Sequence, residues 1–237
     1  MKAPRASAGQ RLKGRRRAPA QPRPFDPDCT ICPRLAAYLG ACRRAHPDYH
    51  ARPVPPFGMR RARLLIVGLA PGFHGANRTG RPFTGDHAGL LLYATLQAHG
   101  FANAGTATAP GDGLKLIDCR ITNAVRCVPP GNRPQPREVQ SCARYLAGDL
   151  ESVPRGGVVL ALGRIAHGAV LGALGLAPRQ APFAHGARHA LPEARTLLDS
   201  YHCSRYNTQT GRLTSPMFDA VVGQAARLIR SSNSDRS

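Results

Sequence analysis

The chain has 237 residues, 42% of them hydrophobic, enough for one large domain with a full core or two small ones. No uninterrupted apolar run of about 18 residues occurs, which excludes a transmembrane helix. Thirty-three Lys and Arg against 13 Asp and Glu give a net charge of +20, which points to a polyanionic partner, nucleic acid ahead of an acidic membrane surface or a merely solvated excess.

In chain order, residues 1–24 hold eight bases and no acid and read as a disordered cationic arm. The arm lacks an apolar segment, so it is not a secretory signal, and its four prolines oppose the amphipathic helix of a transit peptide. From Phe25 the composition becomes globular, and residues 25–231 are assigned to one domain with a short tail at 232–237. RLLIVGLA (63–70) predicts a buried strand. Asp86 opens a helix through about His99, with Leu90, Leu91, Leu92, Tyr93 and Leu96 supplying its apolar side. CRITNAV (119–125) predicts a second strand, and Pro136 starts a helix to about Leu150 in which Val139, Ala143, Leu146 and Leu150 share a face. GVVLALG (157–163) is a third strand, followed by a helix across Ala166 to Leu174. ARTLLDSY (194–201) is a fourth strand, and Ser215–Pro216 opens a last helix carrying Phe218, Val221, Val222, Ala225 and Leu228. Segments 101–113 and 178–190 read as loops or a weak hairpin. Strands alternating with helices predict parallel β-α units in a layered α/β domain.

Ligands of open parallel sheets bind beyond the carboxyl ends of the strands. Three polar loops leave such ends: 68–86 (GLAPGFHGANRTGRPFTGD), 123–134 (NAVRCVPPGNRP) and 202–214 (HCSRYNTQTGRLT). We read them as the walls of one pocket. The first contains five glycines but neither GxGxxG nor GxxxxGK[ST], so it is not a dinucleotide fingerprint or a P-loop.

Of seven cysteines, Cys29 and Cys32 form a CxxC pair, and Cys127 and Cys142 form a second pair if the loop folds back. Four thiolates suit a structural zinc or a [4Fe–4S] cluster, and spacing does not choose between them. Buried small apolar side chains are the plainer alternative. Without a secretion signal, disulfides are not expected. Cys42 and Cys119 read as core thiols.

Three stretches, GLAPGFHGANRTGRPFTGD (68–86), TNAVRCVPPGNRPQP (122–136) and SYHCSRYNTQTGRLT (200–214), together with the four cysteines, resemble the type 5 uracil-DNA glycosylases, the iron–sulfur group of that superfamily. The resemblance spans about residues 25–231. It implies a three-layer α/β/α domain around a four-stranded, mainly parallel sheet. It implies a DNA repair enzyme that flips out uracil, and other deaminated bases such as hypoxanthine, and hydrolyses the N-glycosidic bond to leave an abasic site. It further implies a [4Fe–4S] cluster on Cys29, Cys32, Cys127 and Cys142, a monomer, no membrane partner, and a cytoplasmic location on nucleoid DNA.

The resemblance also implies roles. Phe83 stacks on the base. Asn123, whose amide both donates and accepts, reads its edge. His202 stabilises charge building on the departing base. Ala70 and Gly72 border the base, where other superfamily members place a carboxylate or its amide at position 70. Asn77 and Asp86 are then the candidates to align water, Asp86 being also a candidate helix cap. Ser204, Asn207, Thr208 and Arg212 hold phosphates or wedge the duplex. Cys203 stands where proline commonly follows the histidine, and no nucleophilic role is inferred from it. Two other readings compete: a non-catalytic nucleic-acid-binding domain of the same fold, and a zinc-stapled interaction protein.

Overall fold

The computed structural model describes residues 18–234. Residues 1–17, most of the expected arm, and 235–237 lie outside the described residues. Residues 18–24, assigned from sequence to the arm, run against two helices instead. Ala20 donates to the Ala173 carbonyl and Arg23 to the Arg144 carbonyl, both at 3.0 Å.

The expected strands form at Leu64–Gly68 (β2), Cys119–Asn123 (β3), Val158–Leu162 (β4) and Thr196–Ser200 (β6). They are mutually parallel in the order β3-β2-β4-β6. The sheet has six strands rather than the expected four. Phe57–Gly58 (β1) pairs antiparallel with β3, and Arg188–Ala190 (β5) pairs antiparallel with β6. Both added strands are only two or three residues long, too short to show a periodicity.

Alternate side chains of the central strands face opposite layers. Leu64, Ile66, Leu160 and Leu198 pack against His87–Ala98 (α3) and Ser215–Ser234 (α7) through Leu92, Leu96, Phe218 and Val222. Leu65, Val67, Val159 and Leu197 pack against Pro136–Ser152 (α4) and Arg164–Ala173 (α5) through Leu146, Leu150, Ala166 and Val170. The three layers are those expected. Both faces of β2 and β4 are covered, which is why they read as continuous apolar runs.

A third, smaller core lies beyond the end of β3. Pro33–Ala45 (α1) buries Leu35, Leu39 and Cys42 there against Val125, Cys127 and Val128. Two short helices punctuate the loops, Ala76–Thr79 (α2) and Arg205–Gln209 (α6). Among the described residues, no helix is long and apolar enough to cross a membrane.

Candidate active site

The loops after β2, β3 and β6 meet over the carboxyl end of the sheet, and between them lies an open cavity of about 580 Å³. Ala70, Gly72, Phe83, Asp86, Asn123, His202 and Ser204 all line it. Three segments far apart in sequence therefore share one concavity, as the positions of the strand ends imply.

Phe83 is held in the left-handed region at φ 56°, a conformation costly for an aromatic residue unless its surroundings enforce it. They do. The Tyr93 hydroxyl donates to the Pro82 carbonyl at 2.7 Å. Arg81 donates to the Thr84 hydroxyl at 2.7 Å and grips Asp112 with both terminal nitrogens at 2.9 and 2.6 Å. That pairing holds the Asp112 carboxyl well below the ordinary carboxylate range. Gly68 is required beneath the ring, since a Cβ there would run into the Asn123 amide oxygen and the Phe83 ring edge.

Asn123 ends β3, and its buried amide oxygen has no hydrogen-bond partner among the described residues. A buried acceptor left open costs stability unless a ligand donates to it. His202 lies nearly parallel to Phe83, 6.0 Å between ring centres and 27° between planes. His202 lines the cavity but is largely surrounded by protein, and this desolvation lowers its pKa to about 4. At neutral pH His202 is an uncharged imidazole, able to donate one hydrogen bond.

Asp86 precedes α3 but its side chain makes no bond to the helix end. The carboxylate turns to the first loop, where Oδ2 accepts from the Ala76 N–H at 3.2 Å beside Gly72 and Gly75. The capping alternative therefore gives way to a carboxylate on the cavity wall. Burial pushes its pKa up, against the lowering effects of the Ala76 amide and Arg78.

Two candidates do not reach the cavity. Asn77 lies within α2 and is wholly buried, its amide nitrogen 3.4 Å from the Phe73 carbonyl. It does not line the cavity, and its buried amide oxygen has no hydrogen-bond partner among the described residues. Asn207 turns inward and donates from Nδ2 to the His202 carbonyl at 2.8 Å. Ser204 both lines the cavity and caps α6, accepting from the Asn207 N–H. The Arg212 guanidinium covers the Tyr201 ring at 4.8 Å, and Thr208 bonds back to the Ser204 and Arg205 carbonyls. Cys203 is buried in the core, where desolvation pushes its thiol up to about 12, an unreactive state.

Sequence reasoning missed the rim. Tyr206 on α6 is 71% exposed, and Ile165 at the start of α5 is 47% exposed. Both line the cavity mouth with Arg164, Arg205 and Asn132. Large side chains left in water beside a pocket mark a contact surface. A five-residue helix has no periodicity to reveal one.

Cys29, Cys32, Cys127 and Cys142 line a second, small cavity walled by Leu35, Pro53, Val125 and Tyr145. All four are free thiols. Burial and the neighbouring sulfurs raise the Cys127 thiol well above its ordinary range, and burial raises Cys142 to about 11. Such packing favours a cation that binds thiolates. The Arg126 N–H points at Cys142 Sγ, 3.4 Å away. An all-sulfur donor set in an apolar enclosure fits a soft metal centre. Ala70 and Phe73 pack on this lobe, so it backs directly onto the first loop of the main cavity.

Residues 55–226 match the family model described as the uracil DNA glycosylase superfamily. A type-5 uracil-DNA glycosylase of Thermus thermophilus is 50% identical over 206 residues, covering 84% of this chain and 93% of that protein. One of Mycobacterium tuberculosis is 42% identical over 208 residues, covering 84% and 78%. One of Pyrobaculum aerophilum is 41% identical over 204 residues, covering 84% and 88%.

Proposed function

The chain belongs to the uracil-DNA glycosylase superfamily, and from that premise we propose that it excises uracil from DNA by extruding the base into the 580 Å³ cavity. Water cleaves the N-glycosidic bond, giving free base and an abasic site. The observation that supports this reading is the meeting of Phe83, Asn123 and His202 in one cavity with the Asn123 amide oxygen unpartnered.

Geometry supports each proposed role. The Phe83 ring offers a face for stacking, fixed in place by the Arg81–Asp112 clamp. The open oxygen of Asn123 accepts from the N3–H of uracil, which cytosine does not carry. As the bond to the sugar breaks, negative charge develops on the base. Neutral His202 donates a hydrogen bond to that charge, and one preorganised donor of this kind is worth about 10²–10³ in rate. The Asp86 carboxylate holds water against the cationic sugar, and the DNA phosphates share in stabilising that cation. Tyr206, exposed at the mouth, fills the gap left in the stack.

Position 70 carries a methyl group and no hydrogen-bonding side chain. The cavity beside the base is correspondingly permissive, and hypoxanthine is a second substrate. Cys29, Cys32, Cys127 and Cys142 hold a [4Fe–4S] cluster. When bound, the cluster supplies a cross-link between the CxxC turn, the loop after β3 and α4. The protein works as a monomer on DNA, and residues 1–17 add salt-dependent, non-specific affinity.

The test is base release from duplexes carrying uracil, hypoxanthine or xanthine. Release of uracil and hypoxanthine, with no release of cytosine or adenine from control duplexes, is the expected result. Stoichiometric DNA binding without base release would leave a binding module in place of the enzyme. Visible absorbance in freshly purified protein separates iron–sulfur from zinc, because zinc thiolate is colourless.

A further inference from the structure

Away from both cavities, three side chains from three elements converge: His167 of α5, His189 of β5 and Asp199 of β6, with their ligand atoms all within 4.8 Å of one another. The side chains of Asp199, His167 and His189 are 0%, 5% and 13% exposed. His167 Nε2 lies 2.9 Å from the Ala181 carbonyl oxygen, and Nδ1 lies 2.7 Å from Asp199 Oδ1. A carbonyl oxygen only accepts, so Nε2 carries the ring hydrogen. In a neutral imidazole Nδ1 is then a lone pair aimed at a carboxylate oxygen. Two lone pairs do not rest at that distance with nothing positive between them. On the other side, His189 Nε2 approaches Asp199 Oδ2 at 3.2 Å. A fully buried carboxylate is thus flanked by two ring nitrogens, and the set requires a positive charge beyond what neutral side chains supply.

That charge is either a proton or a metal ion. We propose that this corner is a second metal site, for a divalent transition ion of the zinc class, distinct from the cysteine lobe. Two imidazoles and a carboxylate are ligands that zinc takes. Asp199 offers one oxygen toward each histidine, so that one carboxylate and two ring nitrogens present three ligands and the fourth position of a zinc ion falls to water. The Nε2–H bond to Ala181 is the outer contact that fixes a ligating histidine in its tautomer and aims Nδ1 inward. Zinc bonds of about 2.0–2.2 Å at tetrahedral angles set donor atoms roughly 3.3 Å apart. The His189–Asp199 pair already has that spacing. The His167–Asp199 pair reaches it by opening about half an ångström, a small rotation of the ring.

The backbone holds the ligands apart from one another's flexibility. β5 pairs with β6 through His189↔Leu197. Asp199 sits opposite Ala161 of β4. α5 follows directly from β4. Phe183 closes one side, edge-on to His167 at 5.6 Å. An ion here would fasten the edge strand and α5 to the strand that leads, three residues later, into His202. Its role is to brace the sheet edge behind the cavity, without touching substrate.

The test uses the purified full chain with its cysteine site loaded, dialysed against zinc chloride and desalted. Zinc and iron are then counted by mass spectrometry, and melting is followed with and without zinc. The expected result is a single zinc ion in the wild type that His189→Ala and Asp199→Asn lose without losing iron or visible colour. The wild type should melt higher with zinc, and His189→Ala should not respond. Cobalt(II) gives an independent readout. A spectrum of nitrogen and oxygen ligation, absent in His189→Ala, supports the site. Equal zinc content and equal melting response in wild type and His189→Ala would overturn it, as would cobalt bound only with thiolate charge-transfer bands. The buried charge would then be a proton.

Discussion

Asn123 ends β3 and Cys127 stands four residues further on in the following loop, yet their surroundings are built differently. Asn123 presents an unpartnered oxygen to a wide cavity, beside a phenylalanine forced to φ 56° and a histidine stripped of its charge. Around Cys127 most polar groups are paired, the Arg126 Nε being the buried exception among the described residues. Arg34 pairs with Glu138 through two contacts of 2.8 and 2.7 Å. Glu138 also accepts from the Gln135 N–H. Asp149 collects Thr122 at 2.8 Å, together with Arg120 and Arg126. The first region leaves hydrogen-bonding capacity open and holds backbone strain, as the proposed base pocket requires. The second spends its capacity on holding the chain. Substitutions should divide accordingly, those in the cavity acting on rate and those in the supporting contacts acting on stability.

The sharpest division is expected at His202. On the proposed role of His202 as donor to the leaving base, His202→Ala should lower kcat by about 10²–10³, with DNA binding retained. Single-turnover base release beside a binding isotherm measures this, and an undiminished rate would remove His202 from the mechanism. The same residue sets a pH signature. Its folded pKa, about 4, lies below its ordinary value of 6.5, so the unfolded chain binds the extra proton first. This contribution to stability is complete above pH 6.5 and is lost as pH falls toward 4. Melting curves across that window should be flatter for His202→Gln than for the wild type.

The clamp under Phe83 lies on the border between the two behaviours. Asp112→Asn leaves the nearly buried Arg81 without its counter-charge, at a cost between the ~1 kcal/mol of a surface pair and the ~3–5 kcal/mol of a buried one, because Asp112 itself lies on an exposed loop. Both the denaturation midpoint and uracil affinity should fall, because Phe83 loses its support. A stable variant with normal affinity would show that the left-handed loop holds its shape unaided.

At the rim, Tyr206→Ala should raise KM on duplex DNA about tenfold, within the 1–3 kcal/mol that stacking of one base on an aromatic ring supplies. Single-stranded uracil DNA has no gap to fill, so its KM should move less. Equal effects on both substrates would place Tyr206 in backbone contact rather than in the stack.

The core strands were legible because both faces of β2 and β4 are buried and their sequences are continuous apolar runs. Helix α4 announced itself by Pro136 and an apolar stripe. The edge strands β1 and β5 and the helices α2 and α6 are too short to repeat any pattern. At the site, position on a loop was readable and direction was not. Asp86 and Asn77 come from one stretch, but the α2 turn buries Asn77 and exposes Asp86 to the cavity. The His167–His189–Asp199 corner left no signature, because its ligands fall on three elements with different periods.

Asn207 gives the smallest expected effect and tests the comparison where sequence and structure disagree. Sequence reading set it among the residues that hold DNA. In the fold its amide donates to the His202 carbonyl at 2.8 Å, and its own N–H points to the Ser204 hydroxyl. It touches the turn that aims His202 and does not line the cavity. A neutral hydrogen bond of this sort contributes about 1 kcal/mol. If that energy holds the imidazole in register, Asn207→Ala should lower kcat about fivefold on that figure and leave KM for uracil DNA unchanged, since binding contacts remain. Asn207→Asp keeps an acceptor but loses the donor, and should behave like the alanine variant. A raised KM with full kcat would instead mean that the amide meets DNA directly, and the turn would have to open on binding for it to do so.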